Sequence, residues 1–123
     1  MNIIVDTHIF LWLLIEPERI NQKYLEYLEN SANEIYVSSI SIAEIAIKSS
    51  IGKLNFNFEI DEVISISGFE SLDFTINDAI ELTRLPFHHK DPFDRMIISQ
   101  SISNNFYIIS DDDKFKSYSC KLL

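Results

Sequence analysis

The run Ile3–Ile4–Val5, closed by Asp6, constrains this chain more than any other stretch. It is apolar at every position, not at alternate ones, so a strand there must be covered on both faces. Such strands lie in the middle of parallel sheets, where helices cover both sides. The sequence therefore points to strands that alternate with helices from the first residues onward.

The rest of the chain repeats that alternation. His8 to Ile15 is apolar nearly all round and reads as a helix, punctuated by Glu16–Pro17. Glu18 to Glu29 has apolar residues at 20, 24, 25 and 28, which is helical spacing. Glu34 to Ser38 reads as a second strand and Ser41 to Ile51 as a helix stopped by Gly52. Ile60 to Ser67 reads as a short helix, Phe69 to Asp73 as a third strand, and Thr75 to Leu85 as a helix ended by Pro86. After a loop at Leu85 to Lys90, Pro92 to Asn104 is helical and Phe106 to Ser110 is a fourth strand. Asp113 to Tyr118 forms a helical turn, and Ser119 to Leu122 is a candidate fifth strand. This order predicts an α/β fold, a three-layer α/β/α sandwich with a central parallel sheet of four to five strands. With 123 residues, positions 1–123 make a single domain.

Composition narrows the function classes. The lone cysteine, Cys120, cannot form a disulfide within the chain and suits a reducing compartment; it reads as a packing residue. The longest apolar run near the start, Ile9 to Ile15, is seven residues, too short to span a bilayer. Asp6 and His8 precede it where a signal peptide would carry lysine or arginine. A cytoplasmic protein with no membrane span is the expectation. The net charge of −9 argues against a broad basic surface for nucleic acid. That objection weakens if acids cluster around divalent cations, which reverse the local charge.

Ligands of parallel sheets gather beyond the carboxyl ends of the strands. Asp6 closes the first strand, and Asp111, Asp112 and Asp113 follow the fourth. Glu44 lies in the first turn of the helix after the second strand, and Asp91 and Asp94 open the helix before the fourth. If the first and fourth strands are neighbours, their acids face each other across one crevice. Each acid also has a purely structural reading. Asp6 and Asp112 suit helix caps, Ser41-x-x-Glu44 fits a capping box, and Asp91–Pro92 fits a cap followed by proline at the first helical position. Asp94 at the third position suits the helix dipole. Together they resist that reading, because massed carboxylates repel one another unless cations neutralise them. An oxygen-rich set suits Mg²⁺ or Mn²⁺ better than zinc. Two such ions about 4 Å apart are a recurrent device for phosphodiester cleavage, one lowering the pKa of an attacking water and the other stabilising the leaving oxygen.

Four segments then carry a family resemblance: IIVDTHIFLWLL at the start, SSISIAEIAIK in the middle, HHKDPFDRMIISQS late, and YIISDDDKFKSY near the end. In this order and spacing they resemble the PIN-domain toxins known as VapC, across almost the whole chain. The resemblance implies a metal-dependent ribonuclease, with Mg²⁺ or Mn²⁺ held by three acids and a more variable fourth. Carried over residue by residue, those are Asp6, Glu44 and Asp94, with the fourth in Asp111–Asp113. Asp112, two residues past Ser110, is the choice. Thr7, Ser110 and Asp91 are candidates to support the site. The resemblance further implies an RNA substrate, a VapB-like antitoxin partner and a homodimer. The tail YSCKLL lacks the glycine and terminal tryptophan of many relatives, which predicts a short last strand.

Among the basic residues, Lys48, Lys53, Lys90, Arg95, Lys114 and Lys116 are candidates to touch RNA phosphates, Arg95 first because it adjoins Asp94. His88–His89 reads as an exposed loop pair and not as a metal site or general base. Trp12 with its apolar neighbours exceeds what one buried helix face needs, leaving surface for a dimer or antitoxin contact. Two rival readings remain. One is a receiver- or phosphatase-like domain transferring phosphoryl groups through Asp6; a dehalogenase-type site needs a second aspartate where His8 stands. The other is a catalytically silent interaction module of the same fold. A nucleotide-binding fold is disfavoured, since the turn Val5–Asp6–Thr7–His8 has no glycine.

Overall fold

The computed structural model describes residues 1–123 and shows a five-stranded, all-parallel sheet in the order β3-β2-β1-β4-β5. The strands are β1 (Asn2–Val5), β2 (Glu34–Ser38), β3 (Glu70–Leu72), β4 (Tyr107–Ile109) and β5 (Lys121–Leu122). The helices are α1 (Thr7–Ile15), α2 (Gln22–Glu29), α3 (Ser39–Ser50), α4 (Ile60–Ser67), α5 (Ile76–Arg84) and α6 (Pro92–Asn104). Two 3-10 turns, Pro17–Arg19 and Asp113–Ser117, complete the order. No helix is long and apolar enough to cross a membrane.

β1 occupies the centre, as its unbroken apolar run requires. Ile3 and Val5 face one core with Ile9, Phe10, Ile45 and Val63, beneath α1, α3 and α4. Ile4 faces the other with Ile97, Ile98, Ile108 and Phe115, beneath α6. All three β1 side chains are fully buried. The chain steps from β1 outward through β2 to β3, then returns to place β4 on the opposite side of β1. Strand order thus reverses between β1 and β4, the point where ligand crevices form in open α/β sheets.

α6 crosses this second core with almost no solvated face; Ile97, Ile98, Ser99, Gln100 and Ser101 are all buried. Gln100 uses its amide to join distant strand ends. Its Nε2 donates to Leu72 O at 3.2 Å, and its Oε1 accepts from Ser38 Oγ at 2.5 Å. Asn105 stops the helix in the left-handed region, at φ 57°, which asparagine tolerates better than most residues.

Three boundaries depart from the sequence expectations. The helix expected over Glu18 to Glu29 is divided, because Ile20 is extended and buried and Asn21 caps a fresh start, accepting from Tyr24 N at 2.8 Å. The helix expected from Ser41 begins at Ser39, capped by Ser38. Ser41 is therefore inside the helix, so the capping box with Glu44 does not form, and Glu44 sits in the second turn. The capping box of the chain is at Thr75 and Asp78 instead. The last strand starts at Lys121 instead of Ser119 and is two residues long, the shortening that the composition of the tail suggests.

Because Ile4 is packed from all sides, Ile4→Ala should leave a cavity and lower stability by about 3 kcal/mol. Urea denaturation followed by circular dichroism would measure it; a loss under about 1 kcal/mol would contradict a rigid central strand.

Candidate metal centre

The crossover brings the carboxyl ends of β1 and β4 side by side. Asp6 N donates to Ile109 O at 3.1 Å, which carries the strand pairing one residue beyond β1. Asp6 is 1% exposed. Its Oδ1 caps α1 by accepting from Ile9 N at 2.8 Å, and its Oδ2 accepts from Ser110 Oγ at 2.5 Å. The cap and the site role therefore coexist in one carboxylate. Burial lifts the Asp6 pKa from the ordinary 3.8 to about 6; the bonds from Ser110 and Ile9 pull it down, and the charge of Asp94 pushes it further up.

Glu44 projects from α3, is 2% exposed, and lies near enough to Asp94 for its charge to act there. One oxygen, Oε2, meets Lys48 Nζ at 2.5 Å, one helical turn on. The other, Oε1, is buried and has no hydrogen-bond partner. A buried carboxylate oxygen left unpaired is costly and calls for an explanation. Contact with Glu44 raises the Lys48 pKa, with the charges of Asp91 and Asp94 adding to it.

Asp94 projects from the first turn of α6 and is nearly buried. Asp91 caps that helix, its Oδ1 accepting from Phe93 N at 2.9 Å and Asp94 N at 3.1 Å. The Asp94 pKa is raised, chiefly by burial, then by the charge of Asp91 and, further down, that of Glu44; hydrogen bonding from His89 opposes this. Asp112 follows β4 and is partly exposed. Its Oδ1 caps the second 3-10 turn at Lys114 N, 2.9 Å away, and its Oδ2 lies 3.5 Å from His89 Nε2. Of the aspartate triplet, Asp113 is turned to solvent and pairs with Lys116, and Asp111 is exposed at the rim.

The supporting residues divide clearly. Ser110 is buried and acts as a clasp, its hydroxyl donating to Asp6 and accepting from Asp112 N at 3.1 Å. Thr7 is also buried and ties α1 to α3, its Oγ1 donating to Ser41 Oγ at 2.9 Å. Arg95 does not join the acids. It donates to Pro86 O at 2.9 Å and lies 4.7 Å over the Phe87 ring, so adjacency to Asp94 in sequence misleads about where the guanidinium goes. Lys114 is exposed. His89 corrects the expectation of an exposed histidine pair. His88 is exposed, but His89 is 6% exposed with Nε2 2.8 Å from Asp94 Oδ2. Periodicity offers no signal for this, since the residue belongs to an irregular loop.

A model of the PIN domain matches residues 3–119. The chain belongs to the PIN-domain family. Among solved structures, a chain in the crystal structure of VapBC2 from Rickettsia felis bound to a DNA fragment from their promoter matches it at 22% identity. The match covers 100% of this chain and 98% of that one, with a TM-score of 0.76. A chain of VapBC-1 from nontypeable Haemophilus influenzae matches at 17% identity, covering 100% and 97%, with a TM-score of 0.72. The PIN domain endonuclease Utp24 is more distant, at 18% identity, 94% and 74% coverage and a TM-score of 0.54. None of the curated proteins compared matches by sequence. At these identities the structural likeness speaks for the PIN fold.

The donor set of this PIN domain fits a hard divalent cation. It is mostly carboxylate oxygen, one buried oxygen lacks any partner, and an ammonium already rests on the same glutamate. Of the four acids expected there, Asp94 and Asp112 fall in one tight group of ligand atoms, and Asp6 and Glu44 are not part of it. The group is His89, Asp94 and Asp112, whose ligand atoms all lie within 4.8 Å of one another. The roomiest concavity is elsewhere, an apolar groove of about 410 Å³ among α1, α2 and α4, away from these acids.

The raised Asp6 pKa fixes the sign of a pH effect in the metal-free protein. Below about 6 the folded state holds a proton that the unfolded chain, with its ordinary carboxyl, has already released. Stability therefore rises as pH falls from 7 toward 4, by about 2 kcal/mol from this residue alone, and Asp94 acts in the same direction. Melting curves in chelator should show a higher Tm at pH 5 than at pH 7.5. Asp6→Asn, which keeps an oxygen for the α1 cap, should flatten most of that difference; an unchanged profile would contradict it.

Proposed function

We propose that this PIN domain is a divalent-metal-dependent endoribonuclease, the toxin component of a VapBC-type toxin–antitoxin pair. The reading rests first on the buried, unpartnered Glu44 Oε1 beside two further buried carboxylates, Asp6 and Asp94, whose charges resist burial. A bound cation would offset the cost of burying these carboxylates near one another. Asp6, Glu44, Asp94 and Asp112 would hold Mg²⁺ or Mn²⁺, which when bound would supply Lewis acidity for hydrolysis of a phosphodiester.

The chain's own residues do the positioning. Ser110 fixes the Asp6 carboxylate and orients the backbone leading to Asp112. Thr7 locks α1 against α3, which sets Asp6 relative to Glu44. A cleft of about 230 Å³ beside Glu44 is lined by Thr7, His8, Lys48 and Lys53. Its two ammonium groups suit RNA phosphates flanking the cut, so a chain of net charge −9 still offers local positive charge there. Lys114, exposed near Asp112, is a further candidate; Arg95 is engaged elsewhere.

A VapB-like antitoxin accounts for the apolar groove. Its lining includes Phe10, Leu13, Leu25 and Phe58, and Ile66 there is 86% exposed, apolar surface that a partner segment would cover. A homodimer is part of the proposal, with exposed Ile76 and Ile80 on α5 as apolar surface for a second copy. The rival phosphoryl-transfer reading fares worse, because both Asp6 oxygens already accept hydrogen bonds, which lowers their nucleophilicity.

The decisive experiment combines metal titration with RNA cleavage. The protein should bind Mn²⁺ and cut RNA only when a divalent ion is supplied. Asp6→Asn, Glu44→Gln and Asp94→Asn should each abolish cleavage and weaken Mn²⁺ binding while the chain stays folded. Cleavage that persists in chelator would overturn the metal reading, and Mn²⁺ binding without cleavage of any RNA would favour the silent module.

A further inference from the structure

The loop from Leu85 to Lys90 has no regular structure, yet it is held more firmly than its composition suggests. The Tyr118 hydroxyl accepts from His88 N at 2.9 Å and from His89 N at 2.8 Å. Arg95 Nη1 donates to the same hydroxyl at 3.3 Å and to Pro86 O at 2.9 Å, and its guanidinium covers the Phe87 ring. One tyrosine oxygen and one guanidinium thus fix the backbone on either side of the turn. The result is to press the His89 imidazole inward, edge-on to Phe115 with ring centroids 6.4 Å apart.

Both ring nitrogens are then engaged. Nδ1 faces the backbone N–H of Asp91 in a long hydrogen bond of 3.5 Å, so Nδ1 is an acceptor and carries no proton. The proton of the neutral ring is consequently on Nε2, which lies 2.8 Å from Asp94 Oδ2 and 3.5 Å from Asp112 Oδ2. These two carboxylates come from segments on opposite sides of β4, the start of α6 and the turn after the strand. A single N–H spans them.

We propose that His89 is a positioning residue that holds Asp94 and Asp112 at the separation a divalent cation requires, acting through its Nε2–H and not as a ligand. The inference rests on the metal reading above. Ligation would need the Nε2 lone pair, which means moving the proton to Nδ1, where it would oppose the Asp91 N–H. An outer donor that orients a ligating carboxylate typically contributes 10–100-fold in metal affinity. The role also explains the clamp. Tyr118 and Arg95 position the loop, the loop positions His89, and His89 positions two acids that share no other tether.

The test uses Mn²⁺ alone, with calorimetric affinity and pulsed electron paramagnetic resonance on the full chain. Wild-type protein should bind Mn²⁺ without coupling to an imidazole nitrogen. His89→Leu should weaken binding by about 10–100-fold. His89→Gln, whose carboxamide N–H₂ can replace the Nε2 donor, should restore affinity to within a few-fold. If His89→Leu does not fold, Tyr118→Phe serves instead, because it loosens the loop without touching an acid and should weaken binding in the same direction. Nitrogen coupling to bound Mn²⁺ that His89→Gln removes would make His89 a ligand and overturn the proposal. Unchanged affinity in His89→Leu, or in Tyr118→Phe, would overturn it as well. A wild-type chain that takes up no Mn²⁺ at all would overturn the metal reading itself, and this role with it.

Discussion

The pairing of β1 with β4 is the constraint on which everything else in this molecule depends. Residues about a hundred positions apart meet there, with Asp6 N bonded to Ile109 O and Ser110 Oγ bonded to Asp6 Oδ2. Parallel strands cannot be joined by a tight turn, so the whole intervening chain serves as the crossover. That long excursion lays down β2, β3 and α1 to α6 before β4 returns to the centre. The crevice at the reversal is therefore a consequence of topology, and the acids are the side chains the topology delivers to it.

Delivering them sets up an opposition between stability and function. Burial raises the Asp6 and Asp94 pKa values, with the charge of Asp94 adding at Asp6 and those of Asp91 and Glu44 adding at Asp94. The protein offsets part of this with local devices: helix N-H groups at Asp6, an ammonium at Glu44, an imidazole at Asp94. It leaves one oxygen, Glu44 Oε1, without any. Preorganised charge that is unfavourable alone and favourable with a cation is the usual physical signature of a binding site rather than of a core.

The residues around the site carry double duties. Asp6, Asp91 and Asp112 each cap a helical element while facing, or standing next to, the crevice. A cap is a rigid mount, because its backbone and one oxygen are already fixed. The second oxygen is then presented in a defined direction. The structural and functional readings of these acids are compatible, and the first helps to produce the second.

The sequence alone determined the layer architecture, the parallel sheet and which acids stand at strand ends and helix starts, because apolar runs, helical spacing and strand-end placement are local in the chain. Even the short last strand was legible in the tail. It could not determine where long side chains go. Arg95 adjoins Asp94 in sequence yet turns to Phe87, and His89 in an irregular loop is buried against two acids. Glu44 appeared to belong to a capping box that the earlier start of α3 removes. Those outcomes depend on contacts between segments far apart in the chain, such as Tyr118 with the loop before α6, and side-chain direction follows such packing more than it follows sequence neighbours. Tertiary structure decided them because a buried polar atom takes whatever partner the fold brings within hydrogen-bonding reach.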